Sequence, residues 1–175
     1  ALYRGGGMSN IFSSPTITNT TFLYNTADYG GGMDNSHSSS LTITNSTFSY
    51  NTSGKYGGGI YNISSSSTIT NTTFLYNTAV RYGGGMYNHS SSPIIKNSIF
   101  WKNFKNGSSS VPGADIKDVS PSSSTVSHCL TQANSDYSSG NGIINNQNPL
   151  FVDVVNGDFS LQGCSPAINA GTTVS

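Results

Sequence analysis

Thr68-Ile69-Thr70-Asn71-Thr72-Thr73-Phe74 is the stretch that decides the fold, because the chain keeps repeating it. Thr70-Asn71-Thr72-Thr73-Phe74 has counterparts in Thr18-Asn19-Thr20-Thr21-Phe22, Thr44-Asn45-Ser46-Thr47-Phe48 and Lys96-Asn97-Ser98-Ile99-Phe100, each 26 residues from the next. A second phrase interleaves with the first: Gly5-Gly6-Gly7-Met8, Gly30-Gly31-Gly32-Met33, Gly57-Gly58-Gly59-Ile60 and Gly83-Gly84-Gly85-Met86, offset by 25, 27 and 26. The slack falls before the glycines and in the serine run after them. A fixed phase with variable joints means a rigid repeated unit joined by tolerant loops.

The unit is made of strands. Thr68-Ile69-Thr70 alternates polar, apolar, polar, the period of a strand with one buried face. No window carries the i, i+3, i+4 spacing of a helix. Three short strands are predicted per repeat, near Gly59 to Asn62, Thr68 to Asn71 and Thr73 to Asn77. One repeat cannot bury its few apolar residues alone. Stacked repeats can, and each coil then pairs its backbone with the coils on either side. About 26 residues at roughly 3.3 Å each suit one three-sided turn. The predicted fold class is all-β, a right-handed parallel β-helix with about four regular coils and one or two irregular ones.

Stacking turns repeat positions into columns. Asn19, Asn45, Asn71 and Asn97 form one; Asn25, Asn51, Asn77 and Asn103 another; Asn10, Asn35, Asn62 and Asn88 a third. Asn tolerates left-handed backbone at corners, and stacked copies can bond one another along the axis. Phe22, Phe48, Phe74 and Phe100 make a predicted buried aromatic stack. Met8, Met33, Ile60 and Met86 make an aliphatic one. The glycine triads suit a sharp corner or close backbone approach. Leu23, Ser49, Leu75 and Trp101 lie beside Tyr24, Tyr50, Tyr76 and Lys102, and which of these columns faces outward stays open.

Composition narrows the function. Of 175 residues, 70 are Asn, Ser or Thr; seven Lys+Arg balance seven acids, all Asp, and Glu is absent. A neutral chain has no overall basic footprint for nucleic acid. No apolar run approaches the roughly 18 residues of a membrane-spanning helix, so insertion by a helix is not expected. The low charge and the 11% aromatic content argue against disorder.

The strict repeat stops after Asn103, giving regular coils over 1–103, an irregular coil with loops over 104–147, and a terminal coil or cap over 148–175. Ala114-Asp115-Ile116 and Thr125-Val126-Ser127-His128-Cys129-Leu130 resemble degraded copies of the glycine and Thr-Ile-Thr phrases. Asn134 to Gly142 reads as a polar loop. Asn148-Pro149-Leu150-Phe151-Val152-Asp153 and Asp158-Phe159-Ser160-Leu161 flank Asn156-Gly157, a hairpin signal. Cys129 and Cys164 are either one disulfide or two free thiols. The chain opens in mid-repeat at Ala1-Leu2-Tyr3-Arg4 and closes at Thr173-Val174-Ser175, as a piece of a longer secreted polypeptide would.

The glycine phrase together with Phe-x-x-Asn (Phe22 to Asn25, Phe48 to Asn51, Phe74 to Asn77, Phe100 to Asn103) resembles the paired GGA-I/L/V and FxxN motifs of the polymorphic outer membrane protein repeats of bacterial surface adhesins. It departs from them in having Gly where they have Ala. The tail, with Asn148-Pro149-Leu150-Phe151-Val152-Asp153 and Ser165-Pro166-Ala167-Ile168-Asn169-Ala170-Gly171, is similar to the segment closing many large bacterial right-handed β-helix surface proteins. The resemblance implies secretion to the cell surface. It implies no activity, because this architecture hosts lyases, hydrolases, adhesins and plain stalks.

Three functional readings remain. A lyase or glycosidase needs clustered acids on one face. Asp28, Asp34, Asp115, Asp118, Asp136, Asp153 and Asp158 share no column in the regular coils, and Asp115 and Asp118 read as loop solvation. His37, His89 and His128 are scattered. An ice-binding solenoid is suggested by Thr16-Ile17-Thr18, Thr42-Ile43-Thr44 and Thr68-Ile69-Thr70, but Ile94-Ile95-Lys96 ends that array. The reading favoured is a non-catalytic shaft, adhesin or fibre segment, without cofactor or metal. Tyr29, Tyr56 and Tyr82 offer an aromatic stripe to surface glycans or to a second copy, and end-to-end stacking is a route to filaments.

Overall fold

Each repeat forms one coil of a parallel β-solenoid, and successive coils pair in register through four sheets. The third coil shows the unit: Thr52–Tyr56 in sheet A, Ile60–Ile63 in sheet B, Thr68–Thr70 in sheet C and Thr73–Leu75 in sheet D. This computed structural model describes residues 2–132, 135–137 and 139–173. Asn134, which opens the expected polar loop, lies outside them, as do Ala1, Val174 and Ser175. The described strands of the four sheets all pair in parallel, and the described residues contain no helix.

The turn has four strands rather than the three read from the sequence. The missed strand is that of sheet A, whose inward positions are Ala27, Ser53 and Ala79, all buried. Side chains this small give no apolar alternation to detect.

Inward side chains stack in columns one residue wide. Met8, Met33, Ile60, Met86 and Ile116 pair along sheet B, and Ile17, Ile43, Ile69, Ile95 and Val126 along sheet C. The Phe22, Phe48, Phe74 and Phe100 rings follow one another at 4.6, 5.1 and 4.5 Å between centroids, within 6° of parallel. Phe48, Phe74 and Phe100 have no exposed surface. The Leu23 column points outward from sheet D, and the Tyr24 column sits at the next corner in left-handed backbone, with φ of 53–55°.

Between the apolar columns run polar ladders. Asn51 Nδ2 donates to Asn77 Oδ1 (2.9 Å), and Asn77 Nδ2 to Asn103 Oδ1 (3.0 Å). The backbone N–H of Asn51 and of Asn77 also donates to the next amide oxygen. The second buried ladder runs Asn10, Asn35, Asn62, Asn88, each link 2.8 Å. The Asn19 column differs: it takes φ of 49–51° at an exposed corner. There Asn71 donates to Asn45 (3.1 Å), while Asn97 instead exchanges two hydrogen bonds with the Thr172 backbone. The serine run, which reads as slack in the sequence, supplies a further ladder. Ser39, Ser65, Ser91 and Ser122 each accept from the backbone N–H one coil back.

The fifth coil continues all four sheets through Phe104–Lys105, Ile116–Val119, Thr125–Ser127 and Leu130–Thr131. Cys129 and Cys164 are free thiols, so the expected alternative of a disulfide is not the one adopted. The reason is that Cys129 is the fifth member of a hydroxyl column: its Sγ accepts from the Ser98 N–H, where Ser98 Oγ accepts from Thr72. It is buried there, whereas Cys164 lies exposed in the tail. The tail forms an antiparallel hairpin, Phe151–Asp153 with Asp158–Leu161. The hairpin segment lies along the outer face of sheet D, sharing one cleft with Leu75 and Trp101 and another with Leu23. Outward-facing Leu75 is thereby fully buried.

Candidate functional site

The corner between sheets A and B gathers most of the chemistry on the surface. It is made by the glycine triads, each residue for its own reason. Gly57 takes φ of +68°, a region costly for other residues. A Cβ on Gly58 would stand 2.4 Å from the Gly84 carbonyl oxygen and 2.6 Å from that of Thr78. A Cβ on Gly59 would meet the Gly85 oxygen at 2.5 Å and the Phe74 ring at 3.1 Å. Three residues thus turn the chain sharply while the coils stay in contact. The turn makes the outer faces of the two sheets meet in a concave corner.

Into this corner each sheet sends tyrosines. Tyr3, Tyr29, Tyr56 and Tyr82 follow one another along sheet A, at 5.4, 6.0 and 6.4 Å. Tyr61 and Tyr87 stack on sheet B at 5.5 Å. The two ladders interlock one coil out of step: Tyr29 packs on Tyr61 (5.2 Å) and Tyr56 on Tyr87 (4.5 Å). Tyr61 and Tyr87 are therefore buried although they point away from the core. Tyr29 and Tyr56 stay half-exposed, and Tyr82 is more open.

Cations thread the rings. Arg4 lies over Tyr3, Tyr29 and Tyr61, and its guanidinium meets Asp34 at 3.0 Å. Lys55 lies over Tyr29 at 4.8 Å, Arg81 over Tyr56 at 5.8 Å, and Lys105 over Tyr82 at 4.1 Å, with Lys117 also near Tyr82. Five of the seven cations are here, opposed by Asp28, 3.7 Å from Lys55, and by Asp34. The corner has a local excess of three positive charges on a chain of zero net charge. Burial pushes the Asp34 carboxyl above its ordinary value even though Arg4 pulls it down. Burial likewise pushes Tyr61 up to about 12.

The tyrosine stripe is legible in the sequence, whereas the cations join it only in the folded chain. The signal was there in Tyr3-Arg4, Lys55-Tyr56 and Arg81-Tyr82, each cation next to a column tyrosine. Asp34 likewise falls in register with Tyr61, whose ring the same arginine covers.

The acids read as loop solvation are placed otherwise. Asp115 is buried and accepts from Asn103 Nδ2 (3.0 Å); Asp118 accepts from Asn88 Nδ2 (2.8 Å). Each carboxylate ends one asparagine ladder, where an acceptor is the only partner the last amide still needs. Asp118 also receives the Ser124 N–H and the Tyr137 hydroxyl. Burial pushes Asp115 up to about 7. Asp153 and Asp158 bond Asn156 and Ser160 of their own exposed turn. Among the described residues no group of three His, Cys, Asp or Glu is placed to hold a metal. His37 is exposed, His89 half-buried, and His128 half-buried in left-handed backbone. The threonine array on sheet C narrows quickly, its second column passing from exposed Thr18 to buried Thr70.

The segment that builds this corner has a counterpart in a known family. Residues 45–63 match the Chlamydia polymorphic membrane protein repeat. The matched stretch runs from Asn45 through Phe48, Asn51, Tyr56 and Gly57-Gly58-Gly59 to Ile63. It is thus one pass through sheets D, A and B, including the whole glycine corner. The chain is a parallel β-helix whose repeats are similar to that repeat. Comparison with curated proteins and with solved structures finds no match.

Proposed function

We propose that this chain is a non-catalytic structural and adhesive segment of a bacterial cell-surface β-helix protein, a shaft whose tyrosine corner is its contact face. The observation that carries the reading is the continuity of the corner. Aromatic rings and cations are laid along the axis over five coils, in the same repeat that matches the membrane-protein family. A continuous face suits an extended partner, a surface glycan or a second shaft, better than a small substrate.

The placement of the acids supports a non-catalytic role. Asp115 and Asp118, the pair nearest in sequence to a glycosidase arrangement, serve as ladder ends, and Asp115 is closed to solvent. A glycosidase needs one acid and one base open to the same bond. The test has two arms. Antibody against this segment should label intact cells that express the parent protein. The purified chain should release neither reducing ends nor unsaturated sugars from pectin, alginate or neutral glucans, with or without calcium. Turnover abolished by Asp118→Asn would replace this reading by a degradative one.

A further inference from the structure

We infer that the tyrosine corner binds anionic polysaccharide, with the polymer lying along the solenoid axis. The inference rests on the contact-face reading above and adds the chemical class of ligand. Charge is its first ground. Arg4, Lys55, Arg81, Lys105 and Lys117 all reach tyrosines of one corner, while the rest of the chain holds two cations against five acids. On a neutral protein a one-sided patch of this kind selects for sign.

Ring geometry is the second ground. A sugar ring has an apolar C–H face and a polar rim. Half-exposed Tyr29 and Tyr56, with Tyr82 beyond them, put apolar ring edges beside the former. Their hydroxyls and the neighbouring ammonium and guanidinium groups serve the latter. Tyr61 and Tyr87 fix the outer rings from behind, so little side-chain freedom is left to lose on binding.

Charge spacing is the third ground, and it favours sugar over nucleic acid. Three net charges over four coil steps of about 4.8 Å give roughly one per 6 Å. Duplex DNA carries one per about 1.7 Å and would remain largely unneutralised. A single strand finds no open ring face on which to stack its bases, because neighbouring rings and the cations cover Tyr29, Tyr56 and Tyr82. A polymer with about one carboxylate or sulfate per sugar is the closer match.

The experiment uses the full chain and four immobilised probes: heparin for sulfate, polygalacturonate for carboxylate, dextran as the neutral polymer and oligo-dT as the nucleic acid. Binding to heparin, polygalacturonate or both is expected, and the preference identifies the anionic group. Dextran should bind at least tenfold more weakly. Raising NaCl from about 50 to about 200 mM should weaken binding roughly tenfold to fiftyfold for some three ion contacts. Lys55→Gln with Arg81→Gln should lose about tenfold or more, while Lys96→Gln with Lys102→Gln, the same charge removed elsewhere, should lose nothing; thermal melts establish that both variants fold. Equal binding to dextran, tighter binding to oligo-dT, no binding to either polyanion, or equal loss in both double variants would overturn the inference. Labelling of intact cells is independent of all these outcomes, so the surface-shaft reading stands or falls separately.

Discussion

Two of the molecule's aromatic stacks, built on the same repeat, lie one inside and one outside. The inner phenylalanine rings are parallel within 6°, spaced 4.5–5.1 Å apart and closed to solvent from Phe48 to Phe100. The outer tyrosines of sheet A are spaced 5.4–6.4 Å apart, and neighbouring rings are inclined by anything from 4° to 68°. Both follow the coil step, so the backbone repeat alone explains neither the order of one nor the looseness of the other. Close packing on all sides fixes the inner rings. The outer rings have packing on one side and cations and water on the other. The inner stack holds the register, and the outer one, fixed from behind by Tyr61 and Tyr87, keeps its other side open to a partner.

The most severe test of this contrast is truncation on each side. Phe74→Ala should cost roughly 3–5 kcal/mol in urea denaturation, and Tyr56→Ala less than about 1 kcal/mol. Equal losses would mean that the corner is a second core. Next comes Asp115, the buried end of an inner ladder. Its folded pKa of about 7 lies above the ordinary 3.8, so the folded state holds the proton more tightly. The contribution of Asp115 to stability should be greatest below 3.8, fall as pH rises to about 7, and be lost above. Asp115→Asn keeps the acceptor for Asn103 and should flatten this slope, visible as a higher melting temperature at alkaline pH. A slope that survives the substitution would place its origin in another group.

A smaller effect is expected at the corner glycines. Gly58→Ala should lose about 1–3 kcal/mol or more, because its Cβ meets fixed backbone of the next coil. A neutral result would show that the coils can separate at this corner. The finest comparison sets one ladder against another. Asn77→Ala removes the acceptor of Asn51 and the donor to Phe48, at about 1–3 kcal/mol for each buried group left unpaired. Asn71→Ala, at an exposed corner where water replaces the lost bond, should cost at most a few tenths of a kcal/mol for the hydrogen bond. The difference between the two melts, once the strain that Ala carries at the left-handed φ of 50° of Asn71 is subtracted, is what burial adds to the same asparagine.

The repeat by itself determined that the chain stacks as a parallel solenoid, and which residues share a column. Identical spacing of Phe22, Phe48, Phe74 and Phe100 leaves no other way to bury them together. Resolution was lost where side chains are small or polar. The strand carrying Ala27, Ser53 and Ala79 gave no hydrophobic signal, and the serine run read as slack although Ser39, Ser65 and Ser91 form a buried ladder. Tertiary structure alone decided the rest. Asp115 and Asp118 finish the asparagine ladders because insertions after Asn103 return the chain with a carboxylate at the next coil. The cations join the tyrosines because the glycine corner folds two outer faces toward each other, which a pattern read along one strand does not register. Sequence periodicity reports what faces inward; which outward faces meet depends on the angle of a corner, and that angle is set by backbone contacts between coils.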